Sequence, residues 1–260
     1  MIFQDKLEKA INKNNSLLCV GLDPDPQKLE QGQSQFDFNK AIVDQTAGLV
    51  CCFKPQIAFY SAAGLKGLED LKKTINYIHK NYQDIPVLLD AKRGDIESTN
   101  EKYAQEVFDF LAVDAVTVSP YLGLNALEPL LERKNKGVFV LCRTSNPGAS
   151  QFQDHKVNGE PLYLKVAKEA VKLYKKYDNL CLVVGSTWPQ EIRKLREIAR
   201  EMIFLVPGIG AQGGDLPKTL EYGLTKTKKG LIISASRGII YAQDPQKAAQ
   251  RLKDEINKYR

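Results

Sequence analysis

The chain has 260 residues, 43% of them hydrophobic, and a formal net charge of +6 at pH 7. This size suits one large core, since single α/β barrels often have about 250 residues. No aromatic residues interleave with the lysine clusters, so we expect a solvated basic surface and no nucleic-acid interface. No apolar run approaches the ~20 residues that a membrane-spanning helix needs, so we expect no membrane association.

The N-terminal segment, residues 1–15, alternates charged and apolar side chains and predicts an amphipathic surface helix, not a secretion signal. Eight short apolar runs then recur along the chain and predict β-strands. They are rich in Val, Ile and Leu with little alternation, as in strands that are covered on both faces. The predicted strands are residues 17–21, 50–54, 87–90, 115–119, 138–142, 181–185, 203–206 and 231–235.

Segments in which apolar residues recur with helical spacing lie between these predicted strands. Leu65, Leu71 and Ile78 belong to one such stripe, and Ser98 with Glu101 forms a capping box that predicts the start of another helix. Eight alternating strand and helix units predict an α/β protein, a single (β/α)₈ TIM barrel that occupies residues 1–260 as one domain. A doubly wound open sheet is the alternative.

The most informative motif is Asp90-Ala91-Lys92-Arg93-Gly94-Asp95, which ends the third predicted strand. Side chains alternate across a strand, so Asp90 and Lys92 point to the same side, and Asp95 lies on the following turn. The motif forms either a structural ion pair or a preorganised electrostatic site. Catalytic groups of barrels lie at the carboxyl ends of the strands, which favours the second interpretation.

Other polar residues collect at predicted strand ends. Asp23 follows the first strand, Lys54 ends the second, Ser119 ends the fourth, and Arg143 begins a polar run after the fifth. Residues 143–160 lack periodicity and carry Asn-Pro-Gly and Asn-Gly turns; we interpret them as a lid that closes over substrate, with a passive insertion as the alternative. We expect His79, near the end of a predicted helix, to be exposed to solvent. Neither histidine accompanies a recognisable nucleophile, so a hydrolase triad is unsupported.

Two glycine- and serine-rich loops follow the last two strands, at residues 207–215 and 234–238. Glycines let backbone N–H groups approach an anion, and Arg237 offers two N–H donors to phosphate oxygens. These loops are the frequent phosphate site of barrels. Gly208, Gly210 and Gly213 also match the dinucleotide fingerprint, but no acidic residue ends a strand about 20 positions later. A tight turn without a ligand remains the simplest alternative.

Five cysteines lie mostly in or beside predicted strands, where a thiol behaves as a small apolar side chain. They form no Cys-x-x-Cys pair and have no histidine nearby, so we expect no metal site. An odd cysteine number without a secretion signal favours a reducing compartment, and we expect a cytoplasmic protein. No motif for thiamine or pyridoxal phosphate occurs, so we expect no cofactor.

Taken together, these loops resemble those of the orotidine 5′-phosphate decarboxylase family, in the subgroup whose signature is Asp-Ala-Lys-Arg-Gly-Asp. The similarity spans almost the whole chain. It rests on segments 20–24, 53–56, 90–96, 119–121, 143–148, 207–215 and 236–237. The Asp-x-Lys-x-x-Asp core alone also occurs in Mg²⁺-dependent phosphosugar decarboxylases on similar barrels, which are the alternative enzyme class. A barrel that only binds nucleotides or RNA is the non-catalytic alternative.

The resemblance implies roles for individual residues. Lys92 is the expected proton donor at C6 of orotidine 5′-monophosphate (OMP), with Asp90 and Asp95 on either side of it. The family is homodimeric, which implies that Asp95 and Thr99 reach the active site of the partner subunit. No metal takes part.

The substrate contacts follow from the same resemblance. Asp23 and Lys54 are expected to bind the ribose hydroxyls, with Lys54 also part of the charged array, and Ser145 to contact the pyrimidine edge. The 5′-phosphate is expected to be held by Gln212, Ser236 and Arg237. Many members have glycine where this chain has Ser236, which leaves the backbone contact at that position open.

Overall fold

A closed sheet of eight parallel strands forms the centre of the protein in the computed structural model, which describes residues 1–210 and 213–260. The barrel strands are β1 (Leu18–Leu22), β2 (Cys52–Pro55), β3 (Leu88–Arg93), β4 (Ala115–Val118), β5 (Gly137–Arg143), β8 (Leu180–Val184), β9 (Phe204–Val206) and β10 (Leu231–Ala235), with a small antiparallel hairpin, β6 (Lys156–Val157) and β7 (Glu160–Pro161), between β5 and β8.

The strand order is β2-β1-β10-β9-β8-β5-β4-β3, and all neighbours are parallel. Two isolated parallel bridges, Phe53 with Val87 and Gln56 with Asp90, join β2 to β3 and close the ring. The predicted (β/α)₈ barrel is therefore confirmed, and all eight predicted strands occur with ends within three residues of those expected; the largest difference is at β3, which continues to Arg93 instead of ending at Asp90. The open-sheet alternative is wrong.

Helices surround the barrel and follow most of the strands. They are α1 (Phe3–Asn14), α2 (Gln35–Thr46), α3 (Ile57–Ser61), α4 (Gly64–Asn81), α5 (Glu97–Ala104), α6 (Glu128–Leu131), α7 (Leu162–Tyr174), α8 (Pro189–Ile198), α9 (Leu216–Gly223), α10 (Arg237–Ile240) and α11 (Pro245–Asn257). A π-helical segment, Gln105–Phe110, continues α5. Within the described ranges, no helix is both long and apolar enough to cross a membrane.

Helix α1 lies across the amino ends of the strands. Phe3 is buried against Phe139 of β5, with ring centroids 5.7 Å apart, and its N–H donates to the carbonyl of Asn135. The predicted amphipathic helix is confirmed, because Phe3, Leu7 and Ile11 are all buried. The amino end of the barrel is thus covered, and the loops at the carboxyl end carry the candidate site.

Two local predictions are wrong. Helix α5 begins at Glu97, ahead of the predicted Ser98 cap, because the buried side chain of Asn100 bonds both the N–H and the carbonyl of Asp95 and organises the turn. His79, at the end of α4, is not free in solvent. Its Nε2 lies 2.9 Å from an oxygen of Asp114, and only 26% of its side chain is exposed.

The long loop after β5 has more structure than its sequence indicated. It contains a 3₁₀ turn, Pro147–Gln151, and the β6–β7 hairpin, whose turn places Asn158 and Gly159 at positive φ. The buried Arg143 anchors the loop, since its Nε lies 2.9 Å from Asp154 and its guanidinium stacks on the ring of Trp188. Closure over a substrate stays a prediction.

Candidate active site

Three charged side chains meet at the carboxyl ends of β2 and β3. The carboxylate of Asp90 lies between two ammonium groups, with Oδ1 2.6 Å from Lys92 Nζ and Oδ2 3.4 Å from Lys54 Nζ. Asp90 and Lys92 therefore share one side of β3, as their spacing predicts. We call Lys54, Asp90 and Lys92 the charged array.

The two cations of the array differ in exposure. The side chain of Lys54 is 8% exposed, whereas that of Lys92 is 45% exposed. Lys54 is thus the buried cation, and Lys92 is the cation that is open to solvent at the carboxyl end of the barrel. A half-exposed ammonium held on one side by a carboxylate can meet a ligand from the other side.

The electrostatics of the array keep its buried members charged. Burial opposes the charge of Lys54, but the carboxylates of Asp23 and Asp90 outweigh it and hold the Lys54 pKa above its usual value. Burial likewise opposes the charge of Asp90, yet Lys54, Lys92 and a hydrogen bond from Thr117 lower the pKa of Asp90 to about 2. At neutral pH Lys54 and Asp90 are therefore a fixed pair of opposite charges, as an electrostatic site requires.

Asp23 follows β1 and completes the buried charges around Lys54. Its Oδ1 is buried and has no hydrogen-bond partner among the residues that the structure describes. A buried carboxylate oxygen without a donor is costly unless a ligand supplies one. The hydroxyl of a sugar is such a donor, so the position fits the predicted ribose contact.

Asp95 lies on the turn after β3, and the structure shows no ion pair between it and Lys92 within this chain's described residues. Its carboxylate accepts the N–H of Ile96 at 2.7 Å. The turn is organised by Asn100, which is fully buried and also donates to the carbonyl of Ala126. Thr99 is partly exposed on the first turn of α5. The predicted second carboxylate beside Lys92 is therefore not supplied by the same chain.

The loops after β9 and β10 border a cleft of about 430 Å³ that Gly210, Gly214, Ser236 and Arg237 help to line. Arg237 is exposed and begins the short helix α10. Gln212, the third predicted phosphate residue, lies outside the described residues. Arg237 and the glycine-rich loop thus border a common space, as a phosphate site requires.

One residue that lines this cleft, Ser236, also contacts β1. Ser236 packs directly on Gly21, where a Cβ would come within 2.6 Å of the Ser236 Cβ, and its hydroxyl donates to the Gly21 carbonyl at 3.3 Å. Because β10 pairs with β1 and β1 with β2, one path runs from Arg237 past Asp23 to Lys54 and Lys92. This order matches the phosphate, sugar and base of a nucleotide.

Ser145 begins the loop after β5. Its backbone lies against Gly185, where a Cβ would come within 2.5 Å of the Ser145 nitrogen, and its carbonyl accepts a hydrogen bond from Thr187. Glycine at position 185 is therefore required for this close approach. The fixed backbone places Ser145 at the carboxyl end of the barrel, in the loop that follows β5.

The sequence reasoning missed Thr117, which is fully buried in β4. Its hydroxyl donates to Asp90 Oδ1 at 2.8 Å and accepts the N–H groups of Ala91 and Lys92, each at 3.0 Å. The available signal was a hydroxyl residue inside the apolar run of β4. Among the residues that the structure describes, no cluster of three or more His, Cys, Asp and Glu has the arrangement to hold a metal ion.

Comparison with known proteins gives a consistent result. A sequence model of the orotidine 5′-phosphate decarboxylase / HUMPS family matches residues 16–252. The orotidine 5′-phosphate decarboxylase of Ralstonia nicotianae is 48% identical over 272 residues, which cover 100% of both chains. That of Cellvibrio japonicus is also 48% identical, over 96% of this chain and 93% of the relative.

A solved structure agrees with these relatives. The Leishmania donovani OMP decarboxylase superimposes with a TM-score of 0.91 at 38% identity, and the match covers 100% of this chain and 99% of that one. The barrel and its loops are therefore similar to those of this enzyme over their full length.

Proposed function

Because the chain belongs to the orotidine 5′-phosphate decarboxylase / HUMPS family, we propose a mechanism in which its charged array removes CO₂ from OMP. The activity is that of a carboxy-lyase, which converts OMP to uridine 5′-monophosphate (UMP) in pyrimidine biosynthesis. The mechanism is supported above all by one observation: Asp90 holds the half-exposed Lys92 at the carboxyl end of the barrel.

Loss of CO₂ from C6 leaves an sp² carbanion that no adjacent ring π-system delocalises. A direct electrostatic contact is then the means by which the protein lowers the barrier. A cation about 4 Å from the developing anion contributes about 4 kcal/mol at an effective dielectric constant near 20. Lys92 supplies this cation and then transfers a proton to C6, so the electron pair left by the departing carboxyl group ends in a C–H bond.

Asp90 has two functions in this scheme. It fixes the ammonium of Lys92 at 2.6 Å, and its negative charge faces the substrate carboxylate before CO₂ leaves. That repulsion is relieved as the carboxylate becomes neutral CO₂. Lys54 neutralises the other oxygen of Asp90 and, with Asp23, binds the ribose hydroxyls.

The remaining substrate contacts supply binding energy away from the reacting carbon. Arg237, Ser236 and Gln212 hold the 5′-phosphate, and Ser145 contacts the pyrimidine edge. Binding energy from the distant phosphate can stabilise the oriented substrate and the closed form of the loop after β5. No cofactor or metal enters this scheme.

We propose that the active enzyme is a homodimer in which Asp95 and Thr99 of each subunit complete the site of the other. Asp95 forms no ion pair with Lys92 of its own chain, as described above. Exposed apolar side chains at the same end of the barrel fit a subunit interface, since Ile96 is 59%, Tyr121 85% and Phe152 66% exposed. In this arrangement a second carboxylate reaches Lys92 from the partner.

Mixing two inactive variants tests the shared site. A heterodimer of one Asp95→Ala subunit and one Lys92→Ala subunit contains one intact site and one site that carries both substitutions. A 1:1 mixture that exchanges subunits fully should regain activity in about a quarter of its sites. Absence of recovery after subunit exchange has been verified would contradict the shared site.

We further propose that residues 1–260 form one catalytic domain and that the protein works in the cytoplasm. The five cysteines are free and buried, which suits a reducing compartment. Cell fractionation followed by the decarboxylation assay checks this location, and activity confined to another compartment would contradict it.

The activity is tested by following the loss of ultraviolet absorbance of OMP by the purified protein with EDTA present. We expect turnover that EDTA does not change. Loss of turnover on chelation would instead favour a Mg²⁺-dependent phosphosugar chemistry of the same barrel. Binding of UMP without any turnover of OMP would favour a nucleotide-binding barrel without catalysis.

A further inference from the structure

The hydroxyl of Thr117 uses its full hydrogen-bonding capacity at the charged array. It donates one bond, to Asp90 Oδ1 at 2.8 Å, and accepts two, from the N–H groups of Ala91 and Lys92 at 3.0 Å each. A threonine hydroxyl has one proton and two acceptor sites, so nothing remains unused. A single buried group thus contacts the backbone of Lys92 and the carboxylate that binds its ammonium.

These bonds coincide with an irregularity in β3. The pairing of β3 with β4 shifts register between Leu89 and Arg93, and Lys92 adopts φ +49°. A bulge takes backbone N–H groups out of the regular ladder, and left-handed backbone at a non-glycine residue is strained. Thr117 replaces the lost ladder partners at Ala91 and Lys92, so its hydroxyl stabilises this conformation.

Packing alone does not require a hydroxyl at position 117. The neighbouring β4 residues Ala115, Val116 and Val118 are apolar and fully buried, and valine has nearly the same shape as threonine. The hydroxyl is explained by the bulge and by Asp90, and not by the core. The role of the Thr117 hydroxyl can therefore be tested separately from the packing of the side chain in the core.

We propose that Thr117 is a positioning residue for decarboxylation, which holds the strained backbone of Lys92 and the carboxylate of Asp90 in the orientation that aims the ammonium at the reacting carbon. The inference rests on the proposed function of Lys92 and Asp90. Thr117 acts through these two residues, so its loss changes the rate of the chemical step more than the binding of ribose and phosphate.

The test compares Thr117→Val and Thr117→Ser with the wild-type protein, each assayed for OMP decarboxylation and for binding of UMP. Removing a bond to a charged group together with two amide partners should lower kcat of Thr117→Val by about 10- to 100-fold. KM and UMP affinity should stay within about threefold, since the ribose and phosphate contacts are intact. Thr117→Ser retains the hydroxyl and should recover most of the rate.

Thr46→Val is the matched control. Thr46 is also fully buried, and its hydroxyl donates only to the carbonyl of Ile42 within α2. This variant should keep the wild-type kcat. If Thr117→Val does not fold, Thr117→Cys, which preserves the volume with a weaker hydrogen-bonding group, takes its place with the same expected loss of kcat.

Three outcomes separate the possibilities. A wild-type kcat in Thr117→Val, or in its Thr117→Cys replacement, overturns the proposal while leaving the decarboxylase function intact. A Thr117→Ser rate as low as that of the valine variant also overturns it, because shape and not the hydroxyl would then be the requirement. Absence of OMP turnover by the wild-type and Thr46→Val proteins would instead refute the proposed function itself.

Discussion

Two aspartates, one at each end of the barrel, are surrounded by similar groups. Asp90, at the carboxyl end, contacts Lys54, Lys92 and the Thr117 hydroxyl. Asp114, just before β4 at the amino end, contacts Lys6, His79 and the N–H of Val87 at 2.8–2.9 Å. Each is a carboxylate between two basic side chains, with 16% of its side chain exposed.

The two clusters differ in the exposure of their cations and in whether a polar atom is left without a partner. At the amino end, Lys6 is only 12% exposed, and the cluster ties α1 and α4 to the starts of β3 and β4. At the carboxyl end, Lys92 is 45% exposed and Asp23 keeps an oxygen without a donor. We therefore propose that the amino-end cluster contributes to stability, because the chain supplies its partners, and that the carboxyl-end cluster binds a ligand, because Lys92 and Asp23 have groups open to one.

Of the two aspartate variants, Asp90→Asn should have the larger effect on catalysis. The change removes the charge that holds Lys92, so we expect kcat for OMP to fall by about 100-fold or more. Because Lys54 retains Asp23, the free energy of unfolding should fall by no more than about 2 kcal/mol. Steady-state kinetics measure kcat, and urea unfolding measures the free energy of unfolding. A fall of several kcal/mol in the free energy of unfolding with normal kcat would make Asp90 a structural residue.

Asp114→Asn should show the reverse pattern. Removing this carboxylate leaves the partly buried Lys6 without its ion-pair partner, so we expect unfolding to become easier by about 3 kcal/mol. The kcat at 25 °C should stay within about threefold, since the cluster lies at the opposite end of the barrel. Loss of activity without loss of stability would remove the distinction between the two ends.

A smaller effect concerns the pH dependence of stability. Burial opposes the charge of Asp114, but His79, Lys6 and the N–H of Val87 outweigh it and hold the Asp114 pKa below its usual value of 3.8. The unfolded chain then binds more protons in acid, so this stabilisation is complete above about pH 4 and is lost as the pH falls through the lower folded-state value.

The stability difference between the wild-type protein and Asp114→Asn should accordingly narrow as the pH falls from about 4 to about 2. Urea unfolding at several pH values measures it. A difference that is constant over this range would show that the Asp114 pKa is not lowered in the folded protein.

The sequence predicted the barrel better than it predicted these two clusters. The strands are apolar runs with a local signal, so their positions follow from neighbouring residues. Lys6 and Asp114 are 108 positions apart, and Lys54 and Asp90 are 36 apart, so their contact depends on how the ring closes. Contacts between residues that are distant in sequence have no local signal. For this reason Thr117 was missed, and His79 was wrongly expected to be solvent-exposed.

The site was predicted as far as one motif could indicate it. Asp90 and Lys92 are two residues apart, and strand geometry alone placed them on one side. The bulge at Lys92 and the distance of Asp95 from that lysine are not visible in the motif, because both depend on β4 and on the turn that Asn100 organises. Nor does the motif indicate that Lys54 is the more buried of the two cations in the array.

The most direct test of the central claim is the rate of CO₂ release from saturating OMP by Lys92→Ala. We expect this rate to be lower than that of the wild-type protein by at least about 1,000-fold, which corresponds to about 4 kcal/mol of lost electrostatic stabilisation. UMP affinity and thermal stability should stay close to wild type. Undiminished CO₂ release by this variant would contradict the assignment of the reaction to the ammonium of Lys92.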